Sequence, residues 1–527
     1  MITIRQIKVE VTKSSNLEII KKIAKKIKVD FNDISNLVIE KQSLDARDKN
    51  EIFYVYECSF KVKNESDVLR KNKGNNDLFK MIDKSYHFDK IGTIKLNKRP
   101  VVVGCGPAGL FSALLLAEKG YKPLIIERGE QIDKRIEDVN SFWENGKLNK
   151  NSNVQFGEGG AGTFSDGKLN TLIKDVGNRG RKVFNIFVEC GAPREILYSY
   201  KPHIGTNKLV NVVKSLREKI ISLGGEFRFN TCLTNINVED NKLKSIEVNN
   251  NEIIDTEVLV LAIGHSARDT FKMLYDLGIK MESKPFAVGL RVEHKQDMIN
   301  LSQYGEKYKD ILDPATYKLT YKASNNRGVY SFCMCPGGYV VNSSSEEGCL
   351  VVNGMSNYER ESKNSNSAIV VTVNKEDFGE SVLDGVKFQR NLENLAYNSC
   401  NGKIPVQTLD GFNDNKIEEL KDVKPLVKGR YELADLNKIL PKEICDSIKE
   451  AFPYFGKKIK GFDKGDTILF GVESRTSSPI RIVRDKNFIS SIEGIYPCGE
   501  GCGYAGGITS SAIDGIKVSE KIIEKYC

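Results

Sequence analysis

Gly104-Cys105-Gly106-Pro107-Ala108-Gly109 is the stretch of this sequence best suited to gripping a phosphate. Val101, Val102 and Val103 precede it as a short apolar strand, and Leu110, Ala113, Leu114 and Ala117 follow at helical spacing. Gly120 ends that helix, Leu124-Ile125-Ile126 reads as a second strand, and Glu127 stands at its tip. A glycine turn between strand and helix offers free backbone N–H groups and the positive end of a helix to a diphosphate. Gly104 permits the tight turn, Gly106 lets the backbone approach the phosphates, and Gly109 lets the helix lie close on the sheet. Pro107 and Ala108, within the same turn, are cofactor-binding candidates with the glycines. Glu127, with Arg128 beside it, is placed to accept the hydroxyls of a ribose, and an acid there disfavours a 2′-phosphate. The complete strand–turn–helix–strand–acid order, not the glycine spacing alone, predicts a dinucleotide site.

Two later stretches bear on which dinucleotide. Val258-Leu259-Val260-Leu261-Ala262-Ile263-Gly264 resembles the apolar strand and Ala-Thr-Gly turn of FAD proteins of the glutathione-reductase superfamily, with Ile263 where threonine is usual. Gly494 to Glu500 resembles that superfamily's later strand ending in Gly-Asp, whose carboxylate binds the flavin's ribityl chain. Gly499 and Glu500 take those places, the acid one methylene longer. Gly503-Tyr504-Ala505-Gly506-Gly507-Ile508 opens a terminal helix. In the superfamily this helix starts against the flavin N1–C2=O edge, which implicates Gly507 and Ile508. The resemblance implies FAD, held non-covalently, because a single NAD domain needs neither later element.

The loop Phe156 to Lys168 contains Gly157, Gly159, Gly160, Gly162 and Gly167 but lacks the Gly-Lys-Ser/Thr ending of a P-loop. Glycines let backbone amides approach a planar ring. Gly159, Gly160 and Gly162 are therefore expected against the isoalloxazine, with Thr163 and Ser165 as hydrogen-bond candidates; a mobile surface loop is the alternative. The loop has no cysteine pair of the kind disulfide reductases of the superfamily carry there. No second G-x-G-x-x-G follows a strand, so a separate NAD(P)H domain is not expected. Arg475, in Glu473-Ser474-Arg475-Thr476-Ser477-Ser478-Pro479, could clamp a substrate carboxylate or make an interdomain salt bridge. Asp166 and His265 are further substrate-side candidates. Cys333-Met334-Cys335-Pro336 could carry a redox or ligand cysteine, or be a strand with incidental cysteines. No His/Glu metal cluster or Ser-His-Asp arrangement is readable.

Positioning these residues takes several domains. The chain has 527 residues, 40 % of them hydrophobic, enough for a large buried core. The expected class is α/β: a Rossmann-type FAD-binding domain with a parallel sheet, an inserted α+β substrate or cap domain, and a small N-terminal α/β (ferredoxin-like) domain. The expected boundaries are 1–92, 93–270, 271–470 and 471–527. Ile2, Ile4, Ile7, Val9 and Val11 alternate as a strand, residues 16–28 read as an amphipathic helix, and residues 52–62 as a second strand. Leu44 to Arg47 is read as a capping or salt-bridging stretch.

Twelve scattered cysteines in a chain this long exclude a disulfide scaffold. No apolar run reaches membrane-spanning length and the first ten residues lack a secretory h-region, which predicts a cytoplasmic protein. Residues 1–99 carry 22 Lys and Arg against 14 Asp and Glu, nearly the whole net charge of +9. That bias suits an acidic partner, RNA among them, or is simply a solvated lysine-rich surface.

With the Gly-Glu-Gly-Gly-Ala-Gly-Thr-Phe-Ser-Asp-Gly-Lys loop, the Cys-Pro-Gly-Gly turn and the Glu-Ser-Arg-Thr-Ser-Ser-Pro run, nearly the whole chain resembles the bacterial FAD-utilising dehydrogenases. The resemblance implies an oxidoreductase and fixes neither substrate nor donor; the expected reaction passes two electrons between flavin N5 and a small organic substrate, and with no nicotinamide domain the donor is NADH in the same cleft or a carrier protein. Action on RNA through the basic N-terminal segment is the alternative.

Overall fold

The computed structural model describes all 527 residues. Its functional half is a five-stranded sheet in the order Ile495–Pro497, Leu259–Leu261, Val101–Val103, Leu124–Ile126, Glu226–Arg228. Every pairing in it is parallel. The three inner strands are unbroken apolar triplets, and the edge strand Ile495–Pro497 is as fully buried, because parallel strands are covered on both faces. Helices Pro107–Glu118, Arg179–Glu189, Thr206–Ser222 and Ile508–Lys525 pack on one face. An antiparallel three-stranded sheet, Leu233–Glu239, Lys242–Val248 and Glu252–Asp255, covers the other. Helices Pro107–Glu118 and Ile508–Lys525 touch along small residues. Ser112 Oγ and Ser519 Oγ share a hydrogen bond of 2.8 Å. A Cβ on Gly515 would sit 2.2 Å from the Ala108 carbonyl oxygen.

The second body is a seven-stranded mixed sheet centred on Asn364–Val373, Phe286–Lys295 and Ile468–Glu473. With helices Gln296–Tyr304 and Lys442–Lys458 it forms the largest apolar cluster. Strand Ile468–Glu473 pairs with Phe286–Lys295, so this body extends past the expected boundary at residue 470. A short ribbon, Met281–Ser283 with Ile480–Ile482, leads back to the parallel-sheet domain.

Strand Phe286–Lys295 is buried along nearly its whole length, yet it carries Glu293. Burial pushes this carboxyl up to about 8, opposed by the Leu426 N–H it accepts at 3.1 Å. The folded protein therefore keeps a proton that the unfolded chain releases near the ordinary value of roughly 4.3. The stabilisation is complete below that value and is lost as pH rises through about 8. Glu293→Gln should flatten this decline in melting experiments run from acid to mildly alkaline pH. Parallel slopes for the two proteins would show that Glu293 is ionised in the fold.

The N-terminal segment runs Ile2–Glu10, Asn16–Ile27, Ile34–Asp45, Phe53–Val62, Glu65–Lys71, Leu78–Lys80 as strand, helix, two strands, helix, strand. Its antiparallel sheet places Ile2–Glu10 between Phe53–Val62 and Leu78–Lys80. The twelve-residue strand Ile34–Asp45 was not expected from the sequence. Its register against Phe53–Val62 slips between Ser35 and Val38 and again between Ile39 and Lys41, and each slip breaks the two-residue alternation. Asp45 pairs with Lys8 and Arg47, while Leu44 and Ala46 pack on the large core of the second body.

Candidate functional site: a cavity between the two bodies

One cavity of about 400 Å³ opens where the parallel sheet meets the seven-stranded sheet. Gly104, Gly106, Pro107 and Ala108 line it at one end, and Glu500, Gly507 and Ile508 line it from the last strand and helix. The two stretches that the sequence reading joins across nearly four hundred residues thus share one space. Helices Pro107–Glu118 and Ile508–Lys525 both begin at it. Their N-caps are Gly106 and Gly507, no side chain caps either, and neither has an acid in its first turn. Two uncapped helix starts leave amide donors and positive partial charge facing the cavity.

These residues fit FAD. A Cβ on Gly106 would find only the Gly160 Cα, at 3.8 Å, and Cβ atoms on Gly264 or Gly507 would meet nothing within 4 Å. The backbone at these points is open to the cavity and suits the close approach of a diphosphate and a planar ring. Gly109 acts through packing: a Cβ there would lie 1.9 Å from the Gly104 carbonyl oxygen. Gly159 and Gly499 also stay off the cavity wall. Gly159 donates its N–H to the Cys105 carbonyl at 2.8 Å, and Gly499 donates to Asp514 at 2.8 Å.

Glu127 lines the cavity and already accepts three backbone N–H groups: Cys105 at 2.8 Å, Gly129 at 3.0 Å and Gly157 at 2.9 Å. A carboxylate has about four lone-pair sites, so one acceptor direction remains for a ribose hydroxyl. Arg128 forms a two-pronged ion pair with Asp269 and lies 4.4 Å over the Phe156 ring.

The second glycine loop departs from expectation at Thr163. The turn Ala161–Phe164 directs this side chain back into the loop, where its buried Oγ has no partner and faces Gly159. Thr163 is absent from the cavity wall, whereas Gly160, Gly162 and Ser165 belong to it. Ser165 Oγ donates to the Gly162 carbonyl at 2.6 Å and accepts from Gly167 N–H at 3.0 Å. The loop's organiser is Arg135, which sequence reasoning missed. Fully buried, its guanidinium donates to the carbonyls of Asn153, Val154, Gly157, Glu158 and Gly160. Burial lowers its pKa to about 10, which leaves it charged at neutral pH. The available sequence signal was an arginine in register with Ile132, Val139 and Phe142 on the buried helix face.

The three substrate-side candidates all border the cavity, but two are committed elsewhere. Arg475 donates Nε and Nη2 to Glu393 at 2.9 and 2.7 Å, and Nη1 to Ser266 and Ser345. This corrects the carboxylate clamp: the guanidinium already has a buried carboxylate. Asp166 accepts from Arg360 Nε at 2.9 Å and from Ser356, with Lys168 Nζ at 3.8 Å. His265 shares a 3.1 Å hydrogen bond with Ser266. Burial, then the charges of Arg475 and Arg268, pull its pKa down to about 4, so the ring is neutral at neutral pH. Glu500 is raised to about 7 by burial, against the pull of Lys284.

No helix is long and apolar enough to cross a membrane. Residues 285–476 match the family described as the C-terminal domain of FAD-dependent proteins, and residues 1–61 match a domain family of unknown function. FAD is the cofactor of this chain. An uncharacterized protein of Clostridium beijerinckii is 49 % identical over 513 residues, covering 96 % of each chain. Among solved structures, glycine oxidase from Bacillus cereus aligns with 81 % of this chain and 95 % of its own, at 11 % identity and a TM-score of 0.33. L-proline dehydrogenase from P. horikoshii aligns with 81 % and 94 %, at 10 % identity and a TM-score of 0.35. At such scores these likenesses say nothing about the chemistry of this chain.

Proposed function

The chain belongs to the same family as the Clostridium beijerinckii protein, and from that premise we propose that it is an FAD-dependent oxidoreductase. In this reading it moves two electrons between flavin N5 and a small organic substrate, with NADH or a carrier protein as the donor. One observation carries the proposal. The cavity that receives two uncapped helix starts and Glu500 is also walled by Phe332, Cys333, Asn353 and Thr476 of the second body. A substrate entering there meets whatever Gly507 and Ile508 hold.

Bound FAD supplies the hydride chemistry. The chain's residues hold and polarise it. The turn Gly104–Ala108 receives the diphosphate, Glu127 the ribose, and Glu500 the ribityl hydroxyls. The helix start at Gly507 offsets negative charge at the ring edge. Lys168, on the cavity wall with its ammonium only loosely paired to Asp166, draws an anionic group of the substrate inward. We read the N-terminal module as ferredoxin-like and as a docking part of the enzyme. A small substrate is favoured over RNA because several of the module's basic side chains are already tied to carboxylates. Arg5 pairs with Glu57, Lys8 with Asp45, Lys26 with Asp77 and Lys63 with Asp33.

Purified protein reconstituted with FAD should be yellow and should bleach anaerobically with a physiological donor. Glu500→Ala should weaken FAD binding by about 0.5–3 kcal/mol, the range from hydrogen bonds to a neutral carboxyl to those to a charged one. A colourless protein that takes up no FAD would end this reading.

A further inference from the structure

We propose that Cys333 and Cys335 form a redox-active dithiol at the cavity wall, with Cys333 as the sulfur facing the flavin and Cys335 as its buried partner. The inference rests on the flavin reading above and adds a second two-electron centre to it.

The argument begins with the backbone. Strand Gly328–Cys335 runs in register with Asn364–Val373 as far as Phe332, and the register slips before Cys335. At the slip Cys333 adopts a left-handed φ of 46°, a conformation that few side chains other than asparagine and glycine take willingly. Regular alternation would put residues 333 and 335 on one face, both within the sheet's packing. The bulge instead leaves Cys333 half-buried on the cavity wall and Cys335 fully buried behind it.

The surroundings suit sulfur chemistry. Cys335 Sγ donates to the Cys333 carbonyl at 3.4 Å. Arg291, fully buried, reaches both residues: Nη2 donates to the Cys333 carbonyl at 2.7 Å and contacts Cys335 Sγ at 3.6 Å. Glu473 holds that guanidinium through Nη1 at 2.9 Å. The nearby Cys335 side chain pulls the Cys333 pKa down against burial, and Lys168 and Arg291 add to the pull. The Cys333 side chain and burial push Cys335 up. The two shifts run in opposite directions, the pattern that a dithiol poised for exchange requires. Cys498 is a contrast on the same wall. Burial pushes it well up, and it has no second sulfur two residues away.

The step balances without a further reactant. The Cys333 thiolate and the Cys335 thiol join sulfur to sulfur. Two electrons and the Cys335 proton pass to oxidised flavin, which becomes the singly protonated, anionic reduced form. In the reverse direction the S–S bond breaks, Cys333 leaves as thiolate and Cys335 takes the proton back.

The test is an anaerobic titration of the oxidised, FAD-reconstituted full chain with dithionite. Wild type should consume roughly twice the reductant per FAD that Cys333→Ser or Cys335→Ser consumes. Denaturing alkylation with mass readout should count two more free thiols after reduction, mapped to Cys333 and Cys335. Equal uptake in wild type and both variants, with no change in thiol count, would overturn the dithiol while leaving the flavin reading intact. If the chain takes up no FAD, the flavin reading fails and the dithiol is decided on the apo-protein. Diamide should then protect both sulfurs from alkylation, and sulfurs that stay alkylatable would overturn it.

Discussion

Gly106→Val should give a folded, nearly colourless protein whose FAD content after reconstitution is less than about a tenth of wild type, a loss of at least about 1.4 kcal/mol in binding. The position allows the fold to survive. Gly106 has a φ of −80°, which valine adopts without strain, and its Cβ direction meets only Gly160 Cα at 3.8 Å. The two added methyls would fill the narrow space between the first turn and the second glycine loop, through which the diphosphate has to pass. Melting should stay close to wild type while the flavin's visible absorbance collapses. Undiminished FAD uptake by this variant would show that the diphosphate does not lie against this turn. Gly109 is a poor substitute for this test, because a Cβ there would meet the Gly104 carbonyl at 1.9 Å and break the fold itself.

Glu393→Gln should lower stability by about 3–5 kcal/mol, the cost of leaving buried charges uncompensated. Glu393 accepts from Arg268 at 2.9 and 2.7 Å, from Arg475 at 2.9 and 2.7 Å, and from Ser474 at 2.6 Å, with no exposure to solvent. Glutamine keeps the shape but leaves Arg475 with no carboxylate and Arg268 with Glu346 alone. Burial works to raise this carboxyl, and the Arg268 and Arg475 charges overcome it, holding it well below the usual carboxylate range. A depressed carboxylate contributes in full above its unfolded value of roughly 4.3 and loses that contribution only as pH falls towards its folded value. The gap between wild type and variant in thermal melts should thus be constant near neutrality and narrow in acid. A variant that melts within about 1 kcal/mol of wild type would show that the surrounding serines and water already shield the arginines.

What could be read from the sequence was whatever one short segment dictates by itself. The turn Gly104 to Gly109 lies where its glycines predict because each answers a local constraint: a φ of 100° at Gly104 and a missing Cβ at Gly106 and Gly109. The apolar triplets of the parallel sheet were legible for the same reason. Features set by distant partners were not. Arg475 reads equally as a substrate clamp or a salt bridge until helix Asp384–Ser399 brings Glu393 against it. Thr163 reads as a loop hydroxyl until a tight turn rotates it inward. Strand Ile34–Asp45 hides behind two register slips, and the outward turn of Cys333 depends on a left-handed residue that a Cys-x-Cys pattern does not announce.

Arg135 has a consequence for how the cofactor is received. One guanidinium bound to five carbonyls means that the segment from Asn153 to Gly160 is ordered when the protein folds, before any dinucleotide arrives. Fixing a loop's backbone costs roughly 1–2 kcal/mol per residue in conformational entropy, and here that cost falls on folding rather than on association. The apo-protein accordingly presents a rigid receptor, and FAD affinity reflects contact quality with little deduction for ordering.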